Sequence, residues 1–274
     1  MTTFALVILV RNQALGLVRT LQALDHTEFD EILILDDASS DDITPYVEEV
    51  CQQIHLPEVK IFKSLENIGT FENLKRGFWL ANSDFVTTMA AEDTLVPGFI
   101  HRLHSHIGPL EEKTVYVPSI QGIANGKVIS TSTAQFSQNS ARDFLRLRIR
   151  NLSHGGGATY PRLKVVQSKI SEVSTFNLVE DWLVFYLLAE SGFRFHTINE
   201  VLYTHEVDTS DSATLIRSER HLFFEKEIRE IILSRKIGVR LTLLVHLQKS
   251  LHRTKWFLSF IADQCRIIIK GVGT

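Results

Sequence analysis

The sequence lacks the features of a disulfide-bonded, secreted or membrane-spanning protein. Its 274 residues include only two cysteines, Cys51 and Cys265, which lie far apart and outside any CxxC pattern, so neither a disulfide framework nor a zinc site is predicted. No stretch reaches the roughly 18 uncharged apolar residues that a membrane-spanning helix needs. No basic residues precede the short apolar run at 4–10, as they do in a secretory signal. We therefore expect a protein of the reducing cytoplasm.

Charge is unevenly distributed along the chain. The formal net charge is −3, yet residues 235–274 alone carry +7. Because apolar residues separate these basic residues, the tail suits an anionic membrane surface or a lipid phosphate better than a nucleic acid. A solvated face on closing helices, or the interface of a homodimer, explains the same pattern. We expect no nucleic-acid partner, and peripheral contact with the inner membrane face remains one of the alternatives.

Strand-like and helix-like segments alternate over the first hundred residues. Four apolar segments have the pattern of buried strands, and the first three are each followed by apolar residues at helical spacing. The strands are predicted at residues 4–10, 31–35, 59–63 and 84–89. Strands that are apolar throughout and separated by helices form a parallel sheet covered on both faces. The sequence thus predicts an α/β fold with a mostly parallel sheet, whose ligands bind at the carboxyl ends of the strands.

The acidic stretch DDASSDD, residues 36–42, follows the second predicted strand. Asp41 and Asp42 have a structural explanation, because serines and acids before residue 43 suit the start of a helix. Asp36 and Asp37 have no such explanation, and carboxylates at a strand end can accept hydrogen bonds from a nucleoside. A solvated turn explains this pair equally well, so the residues alone leave both interpretations open.

Five motifs follow one another between residues 4 and 205: FALVILVRN, ILILDDASSDD, NIG, TTMAAEDTLVPGF and LVEDWLVFYLLAESGFRFHTINEVLY. In order and spacing this set resembles the family 2 glycosyltransferases, which have the Rossmann-like GT-A fold and include enzymes of bacterial surface-polysaccharide synthesis. The resemblance implies a GT-A domain over residues 1–210. Residues 211–274 then form a basic, helical C-terminal extension.

The resemblance implies a nucleotide site at the first strand ends. Asp36 and Asp37 match positions that lie against the base and ribose of a nucleotide-sugar, for which UDP is expected. Val10 and Asn12 match the first loop beside this pocket, although a strand end and a turn would also explain them. Asn67, in the turn before the third predicted helix, belongs to the same expected nucleotide site.

The metal motif of the family is altered in this chain. AAED at residues 90–93 stands where the family has Asp-x-Asp-Asp, so Ala90 replaces the first aspartate. The resemblance implies Mn²⁺ or Mg²⁺ held by Glu92 and Asp93, and such an ion offsets charge on the diphosphate leaving group. His205 lies near the position of a histidine that joins the metal in relatives. The alternatives are a helix cap for Asp93 and a solvent-exposed ring for His205.

The VEDW segment implies the catalytic base. An inverting transfer needs a group that removes the acceptor proton, and the resemblance assigns this role to Asp181, with Glu180 beside it orienting a substrate or capping a helix. The three glycines at 155–157 match the junction of donor and acceptor sites, with a flexible loop as the alternative. Trp182 either stacks on a sugar ring or packs in the core.

The expected function is inverting transfer of a hexosyl or N-acetylhexosaminyl group from a nucleotide-sugar to a hydroxyl of a glycan or lipid-linked saccharide. One alternative is a non-catalytic sugar-nucleotide or glycan-binding protein, which the altered metal motif favours and the intact EDW segment opposes. A nucleotidyltransferase is disfavoured, because RNQALG is a poor substitute for a Gly-rich, basic triphosphate loop after the first strand.

Overall fold

The computed structural model describes residues 2–24, 29–54, 56–107, 111–147, 151–173 and 180–206. The predicted extension at 211–274 and Cys265 lie outside these ranges, so the domain boundary near residue 210 stays a prediction. In chain order the elements are β1 (Phe4–Val10), α1 (Ala14–Gln22), β2 (Glu31–Asp36), α2 (Thr44–Gln53), β3 (Glu58–Lys63), α3 (Thr70–Leu80), β4 (Phe85–Ala90), β5 (Thr94–Leu95), α4 (Phe99–Ile107), β6 (Thr114–Ala124), β7 (Lys127–Ser132), α5 (Ser140–Leu147), β8 (Thr159–Pro161), α6 (Arg162–Val166), a 3₁₀ helix (Lys169–Glu172), α7 (Glu180–Glu190) and β9 (Arg194–Glu206). No helix within the described ranges is long and apolar enough to cross a membrane.

The described strands form one mixed sheet. Eight of them follow the order β3-β2-β1-β4-β8-β6-β9-β5, and β7 pairs with β6. The pairs β1–β2, β1–β4, β2–β3 and β6–β9 are parallel, which confirms the parallel sheet predicted for the first hundred residues. Because β5, β7 and β8 pair in the antiparallel direction, the whole sheet is mixed, and its parallel half carries the first strand ends.

Helices cover both faces of the parallel half, which explains why β1 and β2 are buried and apolar along their length, whereas β3 at the sheet edge is only partly buried. On one face, the even-numbered residues of β1 from Phe4 to Val10 pack with apolar residues of α1, α2 and α4. On the other face, α3 lies against Val7 and Leu35. A Cβ on Gly77 would lie 2.7 Å from Val7 Cγ1, so glycine at this position lets α3 approach the sheet closely.

Candidate active site

The loops after β1 and β2 are joined at the carboxyl edge of the sheet. Asn12 has a left-handed backbone with φ 56°, and its N–H donates to Ser39 Oγ at 2.9 Å. Its side-chain Oδ1 accepts from the N–H of Ser40 at 2.9 Å. Val10 is buried, and its carbonyl accepts from the N–H of Asp37 at 3.0 Å. Val10 and Asn12 therefore shape the edge on which the predicted nucleotide site lies.

Asp36 is fully buried at the end of β2. Its Oδ1 accepts from the N–H and the Oγ of Ser39 at 2.8 and 2.5 Å. Its Oδ2 lies 3.8 Å from Nζ of Lys63, the cross-strand neighbour on β3. Among buried side-chain polar atoms of the described residues, Asp36 Oδ2 is the one without a hydrogen-bond partner. Because such an atom is costly to leave unpaired, it marks this strand end as a candidate for ligand contact.

Asp37 organises the start of α3. Its Oδ1 accepts from the N–H of Ile68 at 2.7 Å and its Oδ2 from the N–H of Gly69 at 3.0 Å. Asn67 Oδ1 accepts from the same Gly69 N–H at 3.1 Å. A carboxylate at this point satisfies the unpaired amides of the helix start and suits its dipole. Both oxygens of Asp37 thus have protein partners, and its predicted contact with a nucleoside stays a prediction.

The last aspartates of the DDASSDD stretch lie at the start of α2, as predicted. Asp42 Oδ1 accepts from the N–H of Thr44 at 3.0 Å. This hydrogen bond also lowers the pKa of the exposed Asp42 carboxyl. The stretch therefore divides into an acid that caps α2 and a pair that lies at the strand end.

The loop after β4 directs Glu92 towards α1. Glu92 has φ 80°, and its Oε1 lies 3.5 Å from the Arg19 guanidinium. A Cβ on Gly16 would come within 2.1 Å of Glu92 Cγ, so the Glu92 side chain lies directly over the glycine. Thr20 Oγ1 donates to the carbonyl of Asp93 at 2.8 Å. Residues 16–20 of α1 thus fix both the side chain of Glu92 and the backbone after it.

Asp93 joins this loop to the end of β9. Its buried carboxylate accepts hydrogen bonds from the Tyr203 hydroxyl, from His205 Nδ1 at 2.8 Å and from the N–H of Glu206 at 3.1 Å. The hydrogen bond with Asp93 raises the pKa of His205, whose side chain is 54% exposed. Two of the predicted metal residues, Asp93 and His205, are therefore brought together by a direct contact.

The residues expected to hold Mn²⁺ or Mg²⁺ fit a cation poorly in this arrangement. Both oxygens of Asp93 accept protein hydrogen bonds, and Glu92 pairs with Arg19. Within the described ranges, no three His, Cys, Asp or Glu side chains converge as metal ligands would. Mn²⁺ and Mg²⁺ need several oxygen ligands around one point, so the predicted ligand set is not assembled here.

The predicted base, Asp181, lies against the loop that contains the three glycines at 155–157, here called the glycine loop. Asp181, at the start of α7, is partly buried and accepts a hydrogen bond from the N–H of Gly155. Burial raises the pKa of Asp181, whereas the Gly155 bond and the charges of His154 and His205 act in the opposite direction. A Cβ on Gly155 would lie 2.4 Å from Asp181 Oδ1. The glycine therefore provides the space in which this carboxylate lies.

Two tyrosines complete the site, and sequence reasoning missed both. A Cβ on Gly156 would lie 2.5 Å from the Tyr203 ring, so this ring packs directly on the glycine loop. Tyr160 is buried beside Asp181, and burial raises its pKa well above the ordinary tyrosine range. The sequence could have indicated Tyr203, because a residue two positions before His205 on a strand points to the same face of the sheet as His205.

Two further predicted site residues, Trp182 and Glu180, belong to α7. Trp182 is only 3% exposed, and its indole N–H donates to the carbonyl of Leu147 at 2.6 Å. Of its two predicted roles, sugar stacking and core packing, the structure favours core packing. Glu180 begins α7, but its side chain is outside the described part of the chain.

The fold is similar to those of solved glycosyltransferases. S. aureus TarS with UDP-GlcNAc matches with a TM-score of 0.57 and 16% identity, over 89% of this chain and 70% of the TarS chain. The mannosyltransferase PcManGT from Pyrobaculum calidifontis, with GDP-Man and Mn²⁺, matches at 0.60 and 14%, over 98% and 79%. GalNAc-T7 with UDP, GalNAc and Mn²⁺ matches at 0.58 and 15%, over 97% and 57%. These similarities confirm the predicted GT-A fold.

Comparison of the sequence with family models identifies the family. Comparison with curated proteins gives no match. The family described as "Glycosyl transferase family 2" matches residues 5–165, which contain β1 except its first residue, β2 to β4, the loop with Glu92 and Asp93, and the glycines at 155–157. More than half of the chain is matched, and the fold is the one expected. The chain belongs to glycosyltransferase family 2.

Proposed function

We propose that this protein is an inverting glycosyltransferase that moves a sugar from a UDP-sugar to a hydroxyl of a glycan or lipid-linked saccharide. Family membership and fold indicate glycosyl transfer from a nucleotide-sugar in general. The observation that carries the more specific proposal is Asp181. Its carboxylate lies partly buried against the glycine loop, with a raised pKa.

Asp181 acts as the general base. It takes the proton of the acceptor hydroxyl while the hydroxyl oxygen attacks the anomeric carbon from the face opposite the diphosphate. The bond from that carbon to the diphosphate oxygen breaks, UDP leaves with the electron pair, and the configuration inverts. A raised pKa makes a carboxylate a stronger base near neutral pH, which favours this proton transfer.

The donor nucleoside binds at the ends of β1 to β3. Asp36 Oδ2 is buried without a hydrogen-bond partner, and a movement of the strand end that exposes it would let it accept from a base N–H or a ribose hydroxyl. Lys63, 3.8 Å from that oxygen and about half exposed, adds positive charge beside it. Val10, Asn12, Asp37 and Asn67 support this site by fixing the loops around it.

The glycine loop forms one wall of the site where the transferred sugar and the acceptor bind. Gly155, Gly156 and Gly157 present only backbone where the Asp181 carboxylate and the Tyr203 ring lie against them, so we place the hexosyl or N-acetylhexosaminyl ring on the side of Asp181 that faces away from these glycines. Trp182 has no place in this wall, because it is buried.

The charge of the basic tail supports a proposal for where the protein acts and how it meets its acceptor. Residues 235–274 carry +7, a charge that favours a lipid-linked acceptor at an anionic, cytoplasmic membrane face, as in surface-polysaccharide synthesis. The same tail is the candidate homodimer interface. Sedimentation of the full chain with vesicles, with and without anionic lipid, distinguishes membrane contact from dimerisation.

A divalent cation takes no part in the proposed steps. Mn²⁺ or Mg²⁺ held by Glu92, Asp93 and His205 would offset leaving-group charge, and PcManGT and GalNAc-T7 contain Mn²⁺. In this chain the oxygens of Asp93 already have protein partners. The altered motif, with Ala90 and with no ligand set assembled among the residues that the structure describes, also supports a second candidate, a sugar-nucleotide or glycan-binding protein without turnover.

The test is product formation with a matched inactive variant. The purified chain is incubated with a panel of UDP-sugars and saccharide acceptors, and UDP release is measured beside calorimetric UDP binding. We expect Asp181→Asn to bind UDP as the wild type does but to lose UDP release by about 10²- to 10⁴-fold. Binding without turnover in the wild type supports the second candidate. Full activity in Asp181→Asn contradicts the assignment of the base.

A further inference from the structure

We propose that Asp93 is a positioning residue for Asp181 and not a cation ligand. It closes a chain of contacts that runs from the loop after β4, through Tyr203 and the glycine loop, to the Asp181 carboxylate. The inference rests on the proposed function for the role of Asp181, and it explains how this family member can work with an altered metal motif.

The first contact engages both oxygens of the Asp93 carboxylate. The Asp93 side chain is 5% exposed, and its carboxylate accepts from the Tyr203 hydroxyl, the His205 ring and the N–H of Glu206. A carboxylate has about four lone-pair positions, and protein hydrogen bonds occupy three of them on Asp93, so both of its oxygens are engaged and little capacity is left for a metal ion. These bonds instead tie the last residues of β9 to the end of β4.

The second contact carries this constraint to the glycine loop. Cβ atoms on Gly156 and Gly157 would lie 2.5 and 2.9 Å from the Tyr203 ring, so the loop packs on the ring without any gap. The N–H of Gly157 also donates to the carbonyl of Thr88 in β4 at 2.8 Å. The loop is thus held between β4 and Tyr203, and a shift of the ring must move it.

The third contact reaches the base. The N–H of Gly155 donates to Asp181, and a Cβ on Gly155 would collide with Asp181 Oδ1. A displacement of the glycine loop therefore changes both the hydrogen bond and the space of the carboxylate. Because proton transfer needs hydrogen-bond distance to the acceptor, a small displacement lowers the rate of the chemical step.

Glu92 shows the same replacement of metal contacts by protein contacts. Its side chain lies over Gly16 and pairs with Arg19, in the position where the family has its second metal-motif aspartate. The Arg19 guanidinium, which is 59% exposed, places a positive charge beside the loop. Both acids of the motif thus have protein partners, and we expect nucleotide binding to be independent of divalent cations.

The kinetic experiment compares Asp93→Asn with Asp84→Asn in the full chain. Asp84 precedes β4 and accepts hydrogen bonds from Thr3 at the opposite edge of the sheet, so it controls for loss of a structural carboxylate. We expect Asp93→Asn to lower kcat by about 10- to 100-fold and to change the donor KM by less than about twofold, with no rescue by Mn²⁺. Asp84→Asn should keep the kcat of the wild type.

A spectroscopic experiment tests the cation directly and does not depend on turnover. The ring signals of His205 are assigned by NMR with His205→Gln, and Mn²⁺ is then added with and without UDP, with His101 on the exposed side of α4 as reference. We expect equal, weak broadening of both histidines, and a shift of the His205 signals in Asp93→Asn. Selective broadening of His205, or UDP binding that is lost in EDTA, would overturn the proposal.

The two proposals fail in different ways. A wild-type chain that neither binds UDP or other nucleotides nor releases product contradicts the proposed function. The contact between Asp93 and His205 can then still be tested by the NMR shift of the His205 signals in Asp93→Asn and by thermal unfolding of this variant in EDTA. If Asp93→Asn leaves the His205 signals and the unfolding temperature unchanged, the positioning role is wrong whatever the activity.

Discussion

Asp36 and Asp37 are neighbours in the sequence, yet their carboxylates serve opposite faces of the sheet. Asp36 turns to Ser39 and Lys63 and keeps one oxygen unpaired, whereas Asp37 is fully used by the start of α3. Side chains alternate between faces along a strand, and α3 covers the face opposite α1 and α2. The adjacent acids therefore differ in ligand potential, and composition alone could not separate them.

Asp181 illustrates a residue whose function and stability conflict. Its folded-state pKa is raised above the ordinary aspartate value, mainly by burial, so the folded protein binds this proton more tightly than the unfolded chain. Ionisation of Asp181 therefore lowers the free energy of unfolding as pH rises through the folded pKa, and below the unfolded pKa the effect disappears. We expect Asp181→Asn to be inactive but to unfold at a higher temperature than the wild type at pH 7.

Calorimetric unfolding of both proteins between pH 4 and pH 8 tests this sign. The difference in unfolding temperature should be largest at neutral pH and shrink towards acid pH. A variant that unfolds at a lower temperature at pH 7 would mean that the Gly155 hydrogen bond outweighs burial. The same variant measured for UDP binding confirms that the site is intact.

At the scale of elements, the glycine loop before β8 is defined by what it packs against. Gly157 and Gly126 have nearly the same left-handed backbone, with φ 70° and 69°, but differ in surroundings. A Cβ on Gly157 would lie 2.9 Å from the Tyr203 ring and 3.2 Å from Pro118, whereas nothing lies within 4 Å of one on Gly126. This pair isolates the effect of the contact from that of the backbone.

We expect Gly126→Ala to cost about 1–2 kcal/mol of stability from the left-handed backbone alone. Gly157→Ala should cost about 1–3 kcal/mol more from overpacking, and should also lower kcat because Tyr203 and the loop move. Urea unfolding and UDP release measure the two effects. Equal stability losses with unchanged kcat in both variants would argue against a tight contact between Tyr203 and the loop.

The elements also show what the sequence could and could not predict. The predicted strands 4–10, 31–35, 59–63 and 84–89 agree with β1 to β4 within one residue at each end. Strands buried on both faces are apolar throughout, as β1 and β2 are, whereas β3 is a partly buried edge strand. The later strands escaped prediction, including the long and largely buried β6. β7 is exposed along its whole length, and β5 and β8 have only two and three residues, so none of them has the pattern of a buried strand.

The site was predicted in its location better than in its contacts. Strand ends and the family resemblance predicted the acids at the carboxyl ends of the strands, and Asp36 and Asp93 lie at or just after the ends of β2 and β4; their roles stay predictions. The bonds of Asp93 to His205 and Glu206, more than 100 residues away, depend on β9 ending beside the loop after β4. A contact between such distant residues leaves no local pattern, so a metal role and a positioning role look alike in the sequence.

At the scale of the whole molecule, nucleotide binding should stabilise the fold. A ligand that binds only the folded state adds about 2.7 kcal/mol at 100 times its dissociation constant, which corresponds to a rise of about 5–10 °C in unfolding temperature for a domain of this size. We expect UDP to produce this rise in EDTA as well as in Mn²⁺.

We also expect a smaller rise in unfolding temperature with UDP in Lys63→Met, because Lys63 lies beside the unpaired oxygen of Asp36. Lys60→Met is the matched control, since Lys60 lies earlier in β3 and pairs with Glu58 at 2.9 Å. Equal shifts in both variants would remove Lys63 from the nucleotide site, and a shift with GDP but not UDP would change the base of the proposed donor.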